Sequence, residues 1–168
     1  MLERAKSTPE GATITDLLSA DHRRLDDLLA DAKQALRAGE PARAVEPFTA
    51  FREGLERHIV VEEEQLFPVF EELTGIVNGP TGVMRSEHAE LRRLLAEIAD
   101  GIARAAQDAA AASTGAGDPS HGLAQPLASL TALLFAHNGK EERILYPATD
   151  RAAEAAGRLE ALVAQIEL

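Results

Sequence analysis

The stretch that decides the fold is HIVVEEEQLFP, residues 58–68, together with an altered second copy, HNGKEERILYP, at residues 137–147. Both copies read H-x-x-x-E-E-x-x-L-[FY]-P. The histidine and the first glutamate lie four residues apart, so a helix places both side chains on one face, with roughly 5–6 Å between their Cβ atoms. Two such nitrogen–oxygen pairs on two helices predict that the segments converge on a metal.

A shorter motif, [DE]-H-x-x-L, precedes each copy. It contains Asp21 and His22 before the first copy and Glu87 and His88 before the second. The chain is therefore an internal repeat of two helical hairpins. Each hairpin carries a single histidine and then a His-x-x-x-Glu pair, which predicts approximate two-fold symmetry.

Apolar side chains recur at intervals of three and four residues, which is typical of amphipathic helices. The first helix is capped by Thr13 or Thr15 and stops at Gly39 and Pro41. The others run from between Pro41 and Pro47 to Thr74-Gly75, from near Thr81 to Ala112, and from a flexible linker at 113–122 to Pro147. A last short helix covers 151–167. These segments predict an all-α fold, an up-down-up-down four-helix bundle with a short additional C-terminal helix.

The prolines refine these boundaries. We expect Pro47 in the first turn of the second helix, so that residues 41–45 form a separate short turn. Pro68 should kink the second helix, and Pro147 should bend or end the fourth. Asp150 is a candidate cap for the last helix.

Composition bounds the function. The 168 residues contain no cysteine, which excludes disulfides and thiolate ligands, and the net charge of −11 disfavours binding to nucleic acid. No segment resembles a signal peptide or approaches the roughly 20 apolar residues of a membrane span. We expect a flexible N-terminal leader at 1–12, one domain at 13–168, a cytoplasmic location and no membrane association.

Four of the five histidines lie on predicted buried stripes, one on each helix, and two glutamates join them. A lone His-x-x-x-Glu is usually a surface pair, and a lone buried histidine is usually a core residue. The repeated context instead favours a metal centre, since buried carboxylates need a compensating partner. Imidazole and carboxylate together suit iron, manganese or zinc. The candidate ligands are His22, His58, Glu62, His88, His137 and Glu141; His121 is expected to be exposed in the linker.

The neighbours of these residues leave alternatives open. Glu63 and Glu142 fit solvated boundary positions, support for a ligand, or an extra ligand. Asp21 and Glu87 could each accept a hydrogen bond from the ring of a neighbouring ligand. Phe67 and Tyr146 are interpreted as caps on the core, and the alternative for Tyr146 is a redox role.

The segments DHRRL, HIVVEEEQLFP, EHAELRRLL and HNGKEERILYP span residues 21–147. Together they resemble the hemerythrin-like, or HHE cation-binding, family. The resemblance implies a four-helix bundle around a non-haem di-iron centre with an oxo or hydroxo bridge. It implies that His22 and His58 serve one iron and that His88 and His137 serve the other. Glu62 and Glu141 would bridge the two. The donors alone leave manganese and zinc open.

One departure from the family pattern bears on function. Oxygen-carrying hemerythrins place two histidines four apart on the third helix, and here the earlier position is Met84. A thioether is a poor ligand for this kind of iron. Two histidines per iron argue against simple reversible O₂ carriage. They favour a protein that binds, reacts with or senses O₂, peroxide or NO.

Two alternative functions remain open. The first uses the same ligand residues, and the second uses no metal site. The first is a non-catalytic protein that binds, senses or stores iron and acts through a protein partner. The second is a bundle without metal that acts by contact alone, which the intact ligand set disfavours. The sequence leaves open whether the protein is a peroxide- or NO-consuming oxidoreductase.

Overall fold

The computed structural model describes residues 11–111 and 121–168, and every regular element in these two ranges is helical. No helix among them is both long and apolar enough to cross a membrane. The predicted leader and linker fall largely outside the described residues, as does the side chain of His121. The helices are α1 Ile14–Arg37, α2 Pro41–Val61, α3 Phe67–Thr74, α4 Pro80–Ala111, α5 Ala124–Lys140, α6 Tyr146–Ala155 and α7 Leu159–Gln165, with a 3₁₀ turn at His121–Leu123.

Two π-helical turns make longer rods of these helices. Glu62–Leu66 joins α2 to α3, and Glu141–Leu145 joins α5 to α6. Each turn ends directly before a Phe-Pro or Tyr-Pro pair. A proline cannot donate a backbone hydrogen bond and clashes with the carbonyl four residues earlier, so a locally widened turn accommodates it. The chain therefore continues as helix through Pro147, where the sequence left a bend or an end open.

Several predicted boundaries are confirmed. Thr13 caps α1, and its side chain and that of Asp16 form a reciprocal capping box. The glycines that follow α1 and α3 both adopt the left-handed conformation that L-residues avoid, with φ of 72° at Gly39 and 70° at Gly75.

Three boundary predictions are wrong. The last helix does not run over 151–167, because residues 151–155 belong to α6 and α7 begins only at Leu159. Helix α2 begins at Pro41, so Pro47 lies inside the helix and residues 41–45 do not form a separate turn. Pro41 provides the better start, because its fixed φ suits the first helical position. Asp150 lies within α6 and does not cap the last helix. Its carboxylate instead accepts the backbone N–H groups of Ile14 and Thr15, at 2.8 and 3.2 Å, at the start of α1.

The long helices enclose two apolar clusters. Helix α1 packs along α2, α2 along α4, and α4 along α5, while α3 packs against α6. One cluster includes Leu25, Leu55, Leu91 and Leu134, and the other includes Leu18, Leu66, Met84 and Leu145. Along each long helix a polar segment separates the residues of one cluster from those of the other. A buried polar layer thus lies between two apolar ones.

Candidate metal centre

The polar layer contains all six predicted ligand residues. Each is at most 3% exposed: His22, His58, Glu62, His88, His137 and Glu141. Their donor atoms form two groups, in each of which all the atoms lie within 4.8 Å of one another. One group is His22, His58 and Glu141, and the other is Glu62, His88, His137 and Glu141. The fold therefore places His22 beside His58, and His88 beside His137.

The two glutamates lie between the two pairs of histidines. Each uses one carboxylate oxygen toward one pair and the other oxygen toward the second pair. The distances are 3.4 Å from His22 Nε2 to Glu141 Oε2, 2.9 Å from His137 Nε2 to Glu141 Oε1, 3.2 Å from His88 Nε2 to Glu62 Oε2, and 3.8 Å from His58 Nε2 to Glu62 Oε1. This arrangement suits carboxylates that bridge two cations.

A second ring of carboxylates surrounds the histidines, and every Nδ1 in the layer meets one. The contacts are His22 to Glu142 at 2.8 Å, His58 to Asp21 at 2.9 Å, His88 to Glu63 at 2.9 Å, and His137 to Glu87 at 2.8 Å. A carboxylate accepts a hydrogen bond, so each Nδ1 carries the proton. In the neutral imidazole each Nε2 then presents a lone pair to the interior, which is the form that binds a metal.

These contacts favour one of the alternatives for the outer residues, support of a ligand by a hydrogen bond. Asp21 and Glu87 accept hydrogen bonds from the rings of neighbouring histidines, as one interpretation proposed. Glu63 and Glu142 do the same, although their side chains remain 25% and 39% exposed. The π-helical turns carry both consecutive glutamates of each motif. The signal in the sequence was the retention of that second glutamate in both copies.

Three of the outer carboxylates also contact a cation. Arg24 binds Asp21, Arg92 lies 3.3 Å from Glu63, and Lys140 binds Glu87. Glu142 forms no ion pair with a lysine or arginine in the described parts of the chain. With neutral imidazoles, the carboxylates of the layer outnumber these three cations, so the layer has an excess of negative charge.

Two carboxylate oxygens in the interior of the layer lack a hydrogen-bond donor. Glu62 Oε2 and Glu141 Oε1 are buried without a hydrogen-bonding partner among the described residues. The Nε2 atoms of His88 and His137 lie 3.2 Å apart, and both present lone pairs if their Nδ1 atoms are protonated. Buried acceptors without donors are costly. Cations between these atoms would satisfy them, so the residues present fit a pair of metal ions.

Tyr146 brings one further oxygen into the layer. The side chain is fully buried, and its hydroxyl lies 2.6 Å from Glu62 Oε1 and 3.2 Å from Glu141 Oε2. The same oxygen is 3.2 Å from His58 Nε2 and 3.3 Å from His22 Nε2. The interpretation of Tyr146 as only a cap on the core is therefore incomplete.

Phe67 holds the equivalent place in the first copy. Its ring stacks on His88, with 5.7 Å between ring centroids and 10° between ring planes. It supplies no polar atom, so its interpretation as a cap fits the structure.

In the metal-free protein, His22 and His137 bind protons more tightly than a free imidazole does, because their pKa values are raised. Burial by itself lowers the pKa of His137, but the carboxylates of Glu141 and Glu87 outweigh it and raise that pKa to about 9. The pKa of His22 is raised in the same way, against burial, by Glu141 and Glu142. Burial raises the pKa of the Glu141 carboxyl, but His137 and His22 outweigh it and hold that pKa below its usual range. Burial and the two nearby glutamates raise the pKa of Tyr146.

These shifts predict how the stability of the metal-free protein depends on pH. The pKa of His137 rises from 6.5 in the unfolded chain to about 9 in the fold. Its contribution is therefore fully present below pH 6.5 and is lost as the pH rises through about 9. We expect the free energy of unfolding to fall across that interval, by up to about 3 kcal/mol from this group. Urea titrations of the metal-free protein at several pH values measure it, and a rise in stability over the interval would contradict the assignment.

No curated protein and no solved structure matches the chain. The family model described as the hemerythrin HHE cation-binding domain matches residues 13–149. That range covers most of the chain and contains all six residues of the layer. The chain therefore belongs to the hemerythrin HHE cation-binding family.

Proposed function

We propose that the chain is a non-haem di-iron protein that binds, reacts with or senses O₂, peroxide or NO. The single observation that carries the proposal is the buried layer of four imidazoles and two carboxylates whose lone pairs face one another. Within it, His22, His58 and Glu141 would hold one ion, and His88 and His137 with Glu62 and Glu141 would hold the other. Four alternating long helices would form the bundle around them, in a protein of the cytoplasm.

The donor set supports iron without being specific for it. Imidazole and carboxylate suit iron, and they also suit manganese and zinc, whereas Cu(I) prefers softer ligands. A bound iron pair supplies Lewis acidity and stores electrons. Family membership favours the iron form.

The residues of the chain prepare that chemistry in two ways. The outer carboxylates fix the orientation and tautomer of each imidazole. The apolar clusters on both sides exclude bulk water, since Leu18 and Leu25 flank His22 within α1 and both are at most 3% exposed. Met84 is buried in one of these clusters, one turn before His88. A layer enclosed in this way suits diatomic molecules and peroxide better than large substrates.

Iron loading followed by a reactivity assay tests the function. Protein loaded with ferrous iron and then oxidised should hold two ions per chain and show the near-ultraviolet absorption of an oxo-bridged pair. Consumption of peroxide or NO by this form would support an oxidoreductase. Protein that takes up no iron under these conditions would contradict the proposal.

The near-complete burial of the layer favours one second candidate, a sensor or store of iron that acts through a protein partner. Its ligands would be the same. A di-iron form that changes its absorption on contact with peroxide or NO, but consumes neither catalytically, would favour this candidate.

A further inference from the structure

The two halves of the layer differ at one atom. The second copy of the long motif has Tyr146 where the first copy has Phe67, so a hydroxyl enters only one half. That hydroxyl is fully buried and lies among His22, His58 and the two glutamates of the layer. The half of the layer that has Phe67 and no hydroxyl therefore serves as an internal reference for the effect of the Tyr146 oxygen.

Hydrogen bonding alone does not account for its position. A phenol can donate one hydrogen bond, and the nearest acceptor is Glu62 Oε1 at 2.6 Å. The other three neighbours are Glu141 Oε2 and the Nε2 atoms of His22 and His58, at 3.2 to 3.3 Å. The Nδ1 of each ring donates to a carboxylate, so in the neutral imidazole, which is the form that binds a metal, each Nε2 carries a lone pair. In that form four acceptor atoms meet around the hydroxyl, and its single proton satisfies only one of them.

A shared cation accounts for the same distances. With metal–ligand bonds of about 2.1 Å, neighbouring ligand atoms lie roughly 3.0 Å apart around an octahedral ion and 3.4 Å apart around a tetrahedral one. The hydroxyl oxygen lies at 3.2 to 3.3 Å from three donors of one group. His22 Nε2 and Glu141 Oε2, which belong to that group, are 3.4 Å apart. The oxygen therefore has the spacing of one more vertex in a single coordination shell.

We propose that Tyr146 is a further ligand of the metal held by His22, His58 and Glu141, an inference that rests on the proposed function. On binding a ferric ion the O–H bond breaks, an iron–phenolate bond forms and the proton leaves to solvent, with no change in electron count. Each half of the layer then offers four protein ligands. Phenolate and two imidazoles on one side, and no phenolate on the other, make the two metal positions chemically different.

The visible spectrum of the ferric protein tests this assignment directly. Phenolate bound to ferric iron gives a charge-transfer band in the visible region, and resonance Raman excitation into that band enhances the ring vibrations of the tyrosine. The chain contains one tyrosine, so such a band can come only from Tyr146. We expect both signals in the wild-type protein. In Y146F both signals should vanish, and the ion held by His22, His58 and Glu141 should bind at least tenfold more weakly.

A double variant supplies the control. Phe135 is 82% exposed, so Y146F/F135Y restores a tyrosine outside the layer, and the band should stay absent. Two irons per chain without a phenolate band in the wild type would overturn the assignment and leave the proposed function intact. Failure to bind iron at all would overturn both. If Y146F does not fold, the wild-type Raman spectrum alone decides, because no second tyrosine contributes.

Discussion

Replacing Glu141 with alanine is expected to remove both metal ions. Among the residues that the structure describes, this carboxylate alone belongs to both groups of donor atoms, with one oxygen toward His137 and the other toward His22. Loss of a residue that hydrogen-bonds to a metal ligand, without binding the metal itself, typically costs 10–100-fold in metal affinity. Loss of a shared ligand should exceed roughly 100-fold at both positions on that scale. Metal analysis after gel filtration, with competition by a chelator, measures the loss.

Variants of two other glutamates serve as comparisons for E141A. Glu62 also turns one oxygen toward each pair of histidines, but its approach to His58 Nε2 is longer, at 3.8 Å against 3.2 Å to His88 Nε2. E62A should therefore weaken mainly the ion beside His88 and His137 and remove the spectral signature of an iron pair. Glu64 lies in the same π-helical turn but faces solvent, so E64A should bind metal like the wild type. A conservative E141Q separates loss of the charge from loss of the fold. Retention of two tightly bound ions in a folded E141A would show that Glu141 is not shared.

Removing the metal is expected to lower stability strongly. A ligand that binds only the folded state at a thousand times its Kd stabilises that state by about 4 kcal/mol. For a chain of this size each kcal/mol shifts Tm by roughly 2–4 °C, so the shift should be on the order of 10 °C or more. The physical reason is the set of buried acceptors, which only protons or metal ions can satisfy.

Thermal melts of the iron-loaded and chelator-treated protein measure this difference. The gain should grow between pH 6.5 and about 9, the interval over which the metal-free fold loses the stabilising contribution of the His137 proton. Metal binding also strengthens as that proton becomes easier to displace. E141A provides the control, since iron should leave its Tm unchanged. Equal melting temperatures with and without iron in the wild type would mean that the layer is stable by itself.

The six residues of the layer could be predicted because the chain repeats itself. A helical interval of four places His58 with Glu62 and His137 with Glu141, and the repeated context separates such pairs from surface pairs. The helix boundaries at Thr13, Gly39 and Gly75 followed from capping chemistry, which is local and readable in sequence. The family match then agreed with the resemblance carried by the same motifs.

Features that depend on tertiary contacts were harder to predict. The π-helical turns shift the register by one residue, and a pattern based on 3.6 residues per turn does not contain that shift. The contacts of Glu63 and Glu142 with histidines across the layer therefore stayed open. Asp150 resembled a local helix cap, but its partners lie 135 and 136 residues away in the chain. The Tyr146 hydroxyl could not be placed, because a tyrosine at a core position points its oxygen wherever the fold offers a polar neighbour.

Anomalous scattering at the iron edge from a crystal of the iron-loaded protein tests the central claim most directly. The account predicts two peaks in the buried layer, one among His22, His58 and Glu141 and the other among Glu62, His88, His137 and Glu141. A map with no peak in this layer, or with iron only at surface carboxylates, would contradict it.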